Sequence, residues 1–291
     1  MNPLFGVINL NKPAGITSRA ALNRLQQQLG KIKLGHGGTL DPLAQGVLLV
    51  LVGKATRLMP YVHDLPKHYR GRFRLGVTSD TEDIEGTLVD LESPPQPSEA
   101  EIEAELPRWT GTIEQRPPAY SAIKVDGKRA YRLAREGQSV ELPARPVAVH
   151  QLELLSYKYP HFELSICCGG GTYVRSLGRD IAAGLGTAAV MTDLTRTGIG
   201  DFHIDESVQL AEFDSQTPSD WLLSARRLVP QLPVLSVSQQ QWEMLASGQA
   251  IDHSDRCDWD EAIVLWPSSR LQVCAREESE WPLFYQPQKS Q

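Results

Sequence analysis

The chain has 291 residues, 41% hydrophobic and 22% charged, with a net charge of −6. That length buries a sizeable core, and the composition excludes a disordered or collagen-like chain. No apolar run is long enough to span a bilayer, no basic-then-apolar leader opens the sequence, and four cysteines without CxxC spacing make no disulfide framework, so the expectation is a cytoplasmic protein.

The net charge conceals a division. Residues 1–80 carry +8, 81–110 carry −8, 111–200 carry +3 and 201–291 carry −9. Local field decides where a polyanion docks, so the basic segments keep RNA open as a partner on selected surfaces. In chain order, Thr17 and Ser18 precede Ala21, Leu22, Leu25 and Leu29 at helical spacing, with Gly30 after them. This is a capped amphipathic helix of about three turns. Residues 35–46 form a glycine-rich loop holding one acid, Asp41, and the apolar run 47–52 reads as a strand buried on both faces. Gly37 and Gly38 permit backbone angles closed to other residues, and Pro42 fixes the chain after the acid. Such a loop suits a nucleophile, and it equally suits a tight turn in which Asp41 bonds its own backbone.

Over 69–77, Tyr69, Gly71, Phe73, Leu75 and Val77 alternate with Arg70, Arg72 and Arg74, which predicts a half-buried strand with a cationic outer face. Residues 91–106 open as a Pro-rich linker and become a Glu-rich solvated helix. Residues 115–140 interleave Lys124, Lys128, Arg129, Arg132 and Arg135 with Tyr120 and Tyr131. That mixture suits a surface meeting phosphates and bases together, or a solvated helix–turn laced with ion pairs. Strands follow at 147–157 and 162–168, then the triple glycine 169–171 and a helix with Leu177, Ile181 and Leu185 on one face. Pro230 and Pro233 bracket a linker, and 234–291 reads as a small, acidic β appendage.

Several chemistries fail on spacing. Gly53-Lys54 is followed by Ala55 and lacks the earlier glycine of a Walker loop, and Val174 stands where a dinucleotide fingerprint needs its third glycine. His36, Asp41, His63, Asp64 and His68 lie close in sequence but match no metal-ligand spacing, and no GxSxG elbow occurs. Neither a metal nor a cofactor is expected.

What remains is one Asp, tyrosines on strands and an arginine after a glycine turn. Asn11-Lys12-Pro13-Ala14-Gly15-Ile16-Thr17-Ser18, then Gly35-His36-Gly37-Gly38-Thr39-Leu40-Asp41-Pro42-Leu43 with Lys67-His68-Tyr69, then Gly171-Thr172-Tyr173-Val174-Arg175 with Leu194 stand in an order that resembles the TruB-type tRNA pseudouridine-55 synthases. Pro117-Pro118-Ala119-Tyr120-Ser121-Ala122-Ile123-Lys124 also matches, and the blocks cover residues 4–200. The resemblance implies an α+β fold, a mixed and mainly antiparallel sheet flanked by helices with a small C-terminal β-rich appendage. It divides the chain into a catalytic domain over 1–230, with 115–140 as an inserted basic thumb, and a PUA-like module over 231–291.

By the same resemblance the protein is a stand-alone monomer that converts a uridine in the tRNA T arm, position 55, to pseudouridine without metal or cofactor. Asp41 is then the catalytic carboxylate, and Arg175 is its partner cation, expected to hold its pKa down. Tyr69 stacks on the uracil, and Tyr173 and Leu194 line the pocket. His36 helps hold the flipped base, and Lys12 supports the loop with a phosphate contact. Lys124, Lys128 and Arg129 grip RNA from the thumb. Two departures from the family pattern are Gly170, where a cation is common, and Thr195-Arg196, where paired arginines are common. Two alternatives are an RNA-folding module without required catalysis and a guide-RNA-dependent synthase.

Overall fold

The structure, a computed structural model, describes residues 4–121, 123–125, 127–138, 142–211, 220–232, 234–235, 238–247, 249, 251–252, 261–266, 270–275 and 280–281. Pro233 of the expected linker, Cys257 and much of the C-terminal stretch lie outside these residues.

A single mixed sheet runs, edge to edge, through Val208–Gln209, Gly6–Lys12, Gln45–Val52, Ala189–Ile199, Lys67–Leu75, His161–Cys168, Arg145–Lys158 and Gly111–Gln115. Two of these seven junctions are parallel, Gly6–Lys12 on Val208–Gln209 and Gln45–Val52 on Ala189–Ile199; the rest are antiparallel. The fold is therefore α+β, as expected.

The expected doubly buried strand is Gln45–Val52, in which every residue from Val47 to Val52 is fully buried. Val47, Leu49 and Leu51 pack on one face with Leu58, Val62 and Leu228. Leu48, Val50 and Val52 pack on the other with Ala21, Leu22 and Leu25 of the Ser18–Leu29 helix. Each such side chain contributes about 1.5–3 kcal/mol by leaving water, which fixes the strand that follows the Asp41 loop. On the far half of the sheet, the Val174–Gly184 helix lays Leu177 and Ile181 over Phe73, Phe162 and Leu164. Phe73 stacks on Phe162 with ring centroids 5.0 Å apart.

The alternating strand forms as Lys67–Leu75, two residues earlier than its pattern suggests, because Gly76 turns the chain at φ +76°. Its cationic face is largely neutralised: Arg70 pairs with Glu163, and Arg74 with Asp90 at 2.6 Å. The Glu-rich helix follows its Pro-rich linker as expected, with Ile102 and Glu105 buried rather than solvated. It spans Glu99–Glu105 behind a Ser98–Glu101 capping box, since Pro94, Pro95 and Pro97 hold the preceding chain out of helix. Beyond residue 231, Val234–Leu235, Glu261–Trp266 and Arg270–Ala275 form a three-stranded sheet, and Ile251–Asp252 pairs with Glu280–Trp281, so the described part of this stretch is β-rich.

Candidate active site

The Asp41 loop is held from four sides. The Ser18 hydroxyl accepts from Leu40 N–H (2.8 Å) and donates to Leu40 C=O (2.9 Å), capturing both backbone groups of the residue before the acid. Gly15 N–H donates to Pro42 C=O at 2.8 Å, just after it. The Arg196 guanidinium donates to Gly38 C=O (3.1 Å) and Val47 C=O (2.6 Å). Ala44 N–H returns to Asp41 C=O at 3.1 Å, closing a turn. The N-terminal motif thus serves as the brace of the acidic loop.

Gly38 takes φ +103°, as its residue type allows, but Gly37 is required for space instead: a Cβ there would lie 2.1 Å from Val62 Cγ1.

Asp41 meets Arg175 directly, with Arg175 Nε 3.1 Å from its Oδ2. The Asp41 side chain keeps 37% of its exposure, while that of Arg175 keeps 6%. Arg175 also donates to Thr81 C=O (2.6 Å) and Tyr120 C=O (3.1 Å) and lies 3.5 Å from Asp83 Oδ2. The guanidinium is therefore held at all three of its nitrogens. Its pull on the Asp41 pKa is downward, as expected, but the net shift is upward. Burial of the carboxyl in the cleft dominates, Arg175 opposes it, and the second carboxylate, Asp83, adds to the rise. The expectation of a depressed pKa omitted this burial, which is a property of the folded cleft.

Tyr69 is half-buried on the same side, with Arg196 5.9 Å from its ring centroid and the phenol pKa raised by burial. Lys12 is fully buried, its ammonium donating to Pro13 and Ile16 carbonyls at 2.9 and 2.7 Å. It ties together the turn at 13–16, whose Gly15 bonds to Pro42, and at 0% exposure the ammonium has no open route to the phosphate contact that was expected. Burial lowers its pKa to about 8. His36 ends the Leu34–His36 strand; burial lowers its pKa, and its Nδ1 has no hydrogen-bond partner among the described residues. Leu194 is buried within the core cluster that contains Leu40 and Ala44. Tyr173 immediately precedes the Val174–Gly184 helix, with the Arg145 guanidinium 5.6 Å from its ring centroid.

Lys128 and Arg129 stand apart from this cluster, exposed on a hairpin that pairs Lys124–Val125 with Lys128–Arg129. The Lys124 side chain and the Arg135 side chain lie outside what the structure describes. Sequence reasoning missed Ser18, Asp83, Gln115 and Arg196 as site residues. Arg196 is the largest fully buried side chain and carries no carboxylate partner among the described residues, so the charge count of its segment gave no sign of it. Among the described residues no group of three or more His, Cys, Asp or Glu side chains is placed to hold a metal.

The model of the TruB family pseudouridylate synthase N-terminal domain matches residues 26–174, which include Asp41, Tyr69 and Tyr173. The chain belongs to this family. A protein named tRNA pseudouridine synthase B from Rhodopirellula baltica is 41% identical over 84% of this chain and 74% of its own. Another of that name from a Nostoc species is 39% identical over 85% of this chain and 86% of its own. A solved chain from a Cbf5-Nop10-Gar1 complex superposes with a TM-score of 0.69 at 25% identity, covering 93% of this chain and 78% of that one. Membership makes the chain a pseudouridine synthase.

Proposed function

We propose that this enzyme isomerises the uridine at position 55 in the T arm of tRNA, with Asp41 as the catalytic carboxylate and Arg175 as the cation that orients it. The contact of Arg175 Nε with Asp41 at 3.1 Å carries the reading. The reaction exchanges the N1–C1′ bond of uridine for a C5–C1′ bond, with a proton lost at C5 and one gained at N1. It is redox-neutral. Asp41 begins the exchange as the ionised carboxylate, and its fixed guanidinium partner keeps it ionised and aimed in a cleft that disfavours charge. Tyr69 stacks on the flipped uracil, Tyr173 and Leu194 flank it, and the exposed part of the His36 ring helps hold the displaced nucleotide. Flipping costs about a few kcal/mol, which stacking on Tyr69 offsets.

Lys128 and Arg129 contact tRNA phosphates from the thumb over 115–140. The chain divides into a catalytic domain, 1–230, and a PUA-like module, 231–291, and acts as a cytoplasmic monomer. No helix among the described residues is long and apolar enough to cross a membrane. The names of the relatives at 41% and 39% identity support a tRNA substrate. Likeness to a chain from a Cbf5-Nop10-Gar1 complex favours, as a second reading, action with partner proteins. Tritium release from a T-arm transcript carrying 5-tritiated uridine separates the two. Wild type alone is expected to release tritium, and Asp41→Asn to bind the transcript but release none. Release by Asp41→Asn would refute the catalytic role, and inactivity of bare wild type would favour partner dependence.

A further inference from the structure

The segment leading into the basic hairpin is tied to the Val174–Gly184 helix at three points. Arg175 donates to Tyr120 C=O at 3.1 Å, and Arg179 to Arg116 C=O at 2.9 Å. The third tie is of another kind. Tyr173 N–H donates to Gln115 Oε1 at 2.8 Å, while Gln115 Nε2 donates to Tyr173 C=O at 3.1 Å. One side-chain amide reaches both backbone groups of one residue, as the partner of its N–H and as a second donor to a C=O that also accepts from Leu177 N–H.

Tyr173 is the N-cap of the helix and makes no side-chain cap bond of its own. Gln115 supplies the anchor there from the end of the Gly111–Gln115 strand, and at 1% exposure neither bond competes with water. Its partner in register, Arg145, donates to Gly171 C=O at 2.7 Å, so the same strand pair grips the glycine turn from its other end.

We infer that Gln115 is a positioning residue for the isomerisation, clamping Tyr173 and so fixing the backbone from which Arg175 reaches Asp41. This rests on the roles given above to Asp41 and Arg175. Thr81, Tyr120 and Asp83 hold the far end of the Arg175 side chain, whereas Gln115 holds its root. Without the amide, Tyr173 N–H loses its partner, while its C=O keeps only the helical bond from Leu177 N–H at 3.0 Å, and the first helical turn is free to shift.

Gln115→Met keeps the side-chain length and removes both bonds; Gln115→Glu keeps the acceptor and removes the donor. Single-turnover pseudouridine formation on a tRNA transcript is measured across pH, with tRNA affinity and Tm alongside. Gln115→Met is expected to slow the rate constant about 10- to 100-fold while affinity stays within about threefold. Its acidic limb moves to higher pH, because Arg175 relaxes away from Asp41. Gln115→Glu falls between Met and wild type.

Ile113→Ala, in the same strand but without a tie to Tyr173, lowers Tm and leaves the limb in place. If Gln115→Met loses Tm as Ile113→Ala does, with rate and limb unmoved, the inference is overturned; should Gln115→Met not fold, Gln115→Glu decides by the same criteria. An unaltered rate in Arg175→Met instead overturns the reading of Arg175 itself.

Discussion

Ser18→Ala deletes one oxygen and reaches the catalytic loop through a single neighbour. The Ser18 hydroxyl is the partner of both Leu40 N–H, at 2.8 Å, and Leu40 C=O, at 2.9 Å, and both residues are buried. An orphaned buried donor or acceptor costs about 1–3 kcal/mol, and the better helix propensity of alanine returns a few tenths. The net expectation is a loss of about 2–5 kcal/mol, or roughly 3–8 °C in Tm for a chain of this size. Leu40 immediately precedes Asp41, so the loop also loosens, and turnover at saturating tRNA should fall by about tenfold or more. Thr17→Ala is the control. It removes the exposed helix cap to Ala20 N–H, at about 1 kcal/mol, without touching the loop. Thermal denaturation and tritium release on both variants decide the matter. A Ser18→Ala enzyme with full turnover despite its lower Tm would refute the bracing argument, as would equal slowing by Thr17→Ala.

Gly46→Ala should destabilise by about 3 kcal/mol or more in a urea titration, since Gly46 sits at φ +101° and its Cβ would lie 2.2 Å from Arg196 C=O; a cost below about 1 kcal/mol would mean that the two strands part easily. Lys12 and Lys67 are buried, with pKa values lowered from 10.5 to about 8. Above pH 8 the unfolded chain holds more protons on them than the native one, so their contribution to stability rises with pH. The window is pH 8–9, where the opposing effect of Cys167 and Cys168, both raised from 9.0 by burial and Cys168 to about 11, is only beginning. Denaturation at both ends should show a gain of up to about 1 kcal/mol per lysine, and Lys67→Met should flatten it. Reversing Lys128 and Arg129 to Glu should weaken tRNA binding and reduce its salt slope by about two; an unchanged slope would remove the hairpin from the RNA surface.

Strands with clean alternation or an unbroken apolar run were legible in the sequence, as were both amphipathic helices, because a period of 2 or 3.6 needs no tertiary information. The Ala189–Ile199 strand was not. It mixes Asp193, Thr195 and Arg196 into a central position, and only its neighbours explain why each is tolerated. Asp41, Arg175 and Tyr69 were singled out as motif residues, and the fold gathers them. Ser18 and Gln115 have ordinary side chains whose partners are backbone groups 22 and 58 residues away, which no local spacing reveals. The sign of the Asp41 shift depends on burial, which exists only once the cleft does.

The parallel pairing of Gln45–Val52 with Ala189–Ile199 bears on when the enzyme comes into being. Thr195 and Arg196 meet Gln45 and Gly46 across roughly 150 residues of intervening chain. Long-range pairings of this kind form late, because the loop entropy is spent before any contact compensates it. The first 52 residues, with the acid loop, must leave the ribosome and wait with one sheet edge open. A nascent chain halted before residue 189 holds Asp41 and Arg175 yet lacks the strand between their parent elements. Activity should therefore appear only with the last central strand, as a step in chain length.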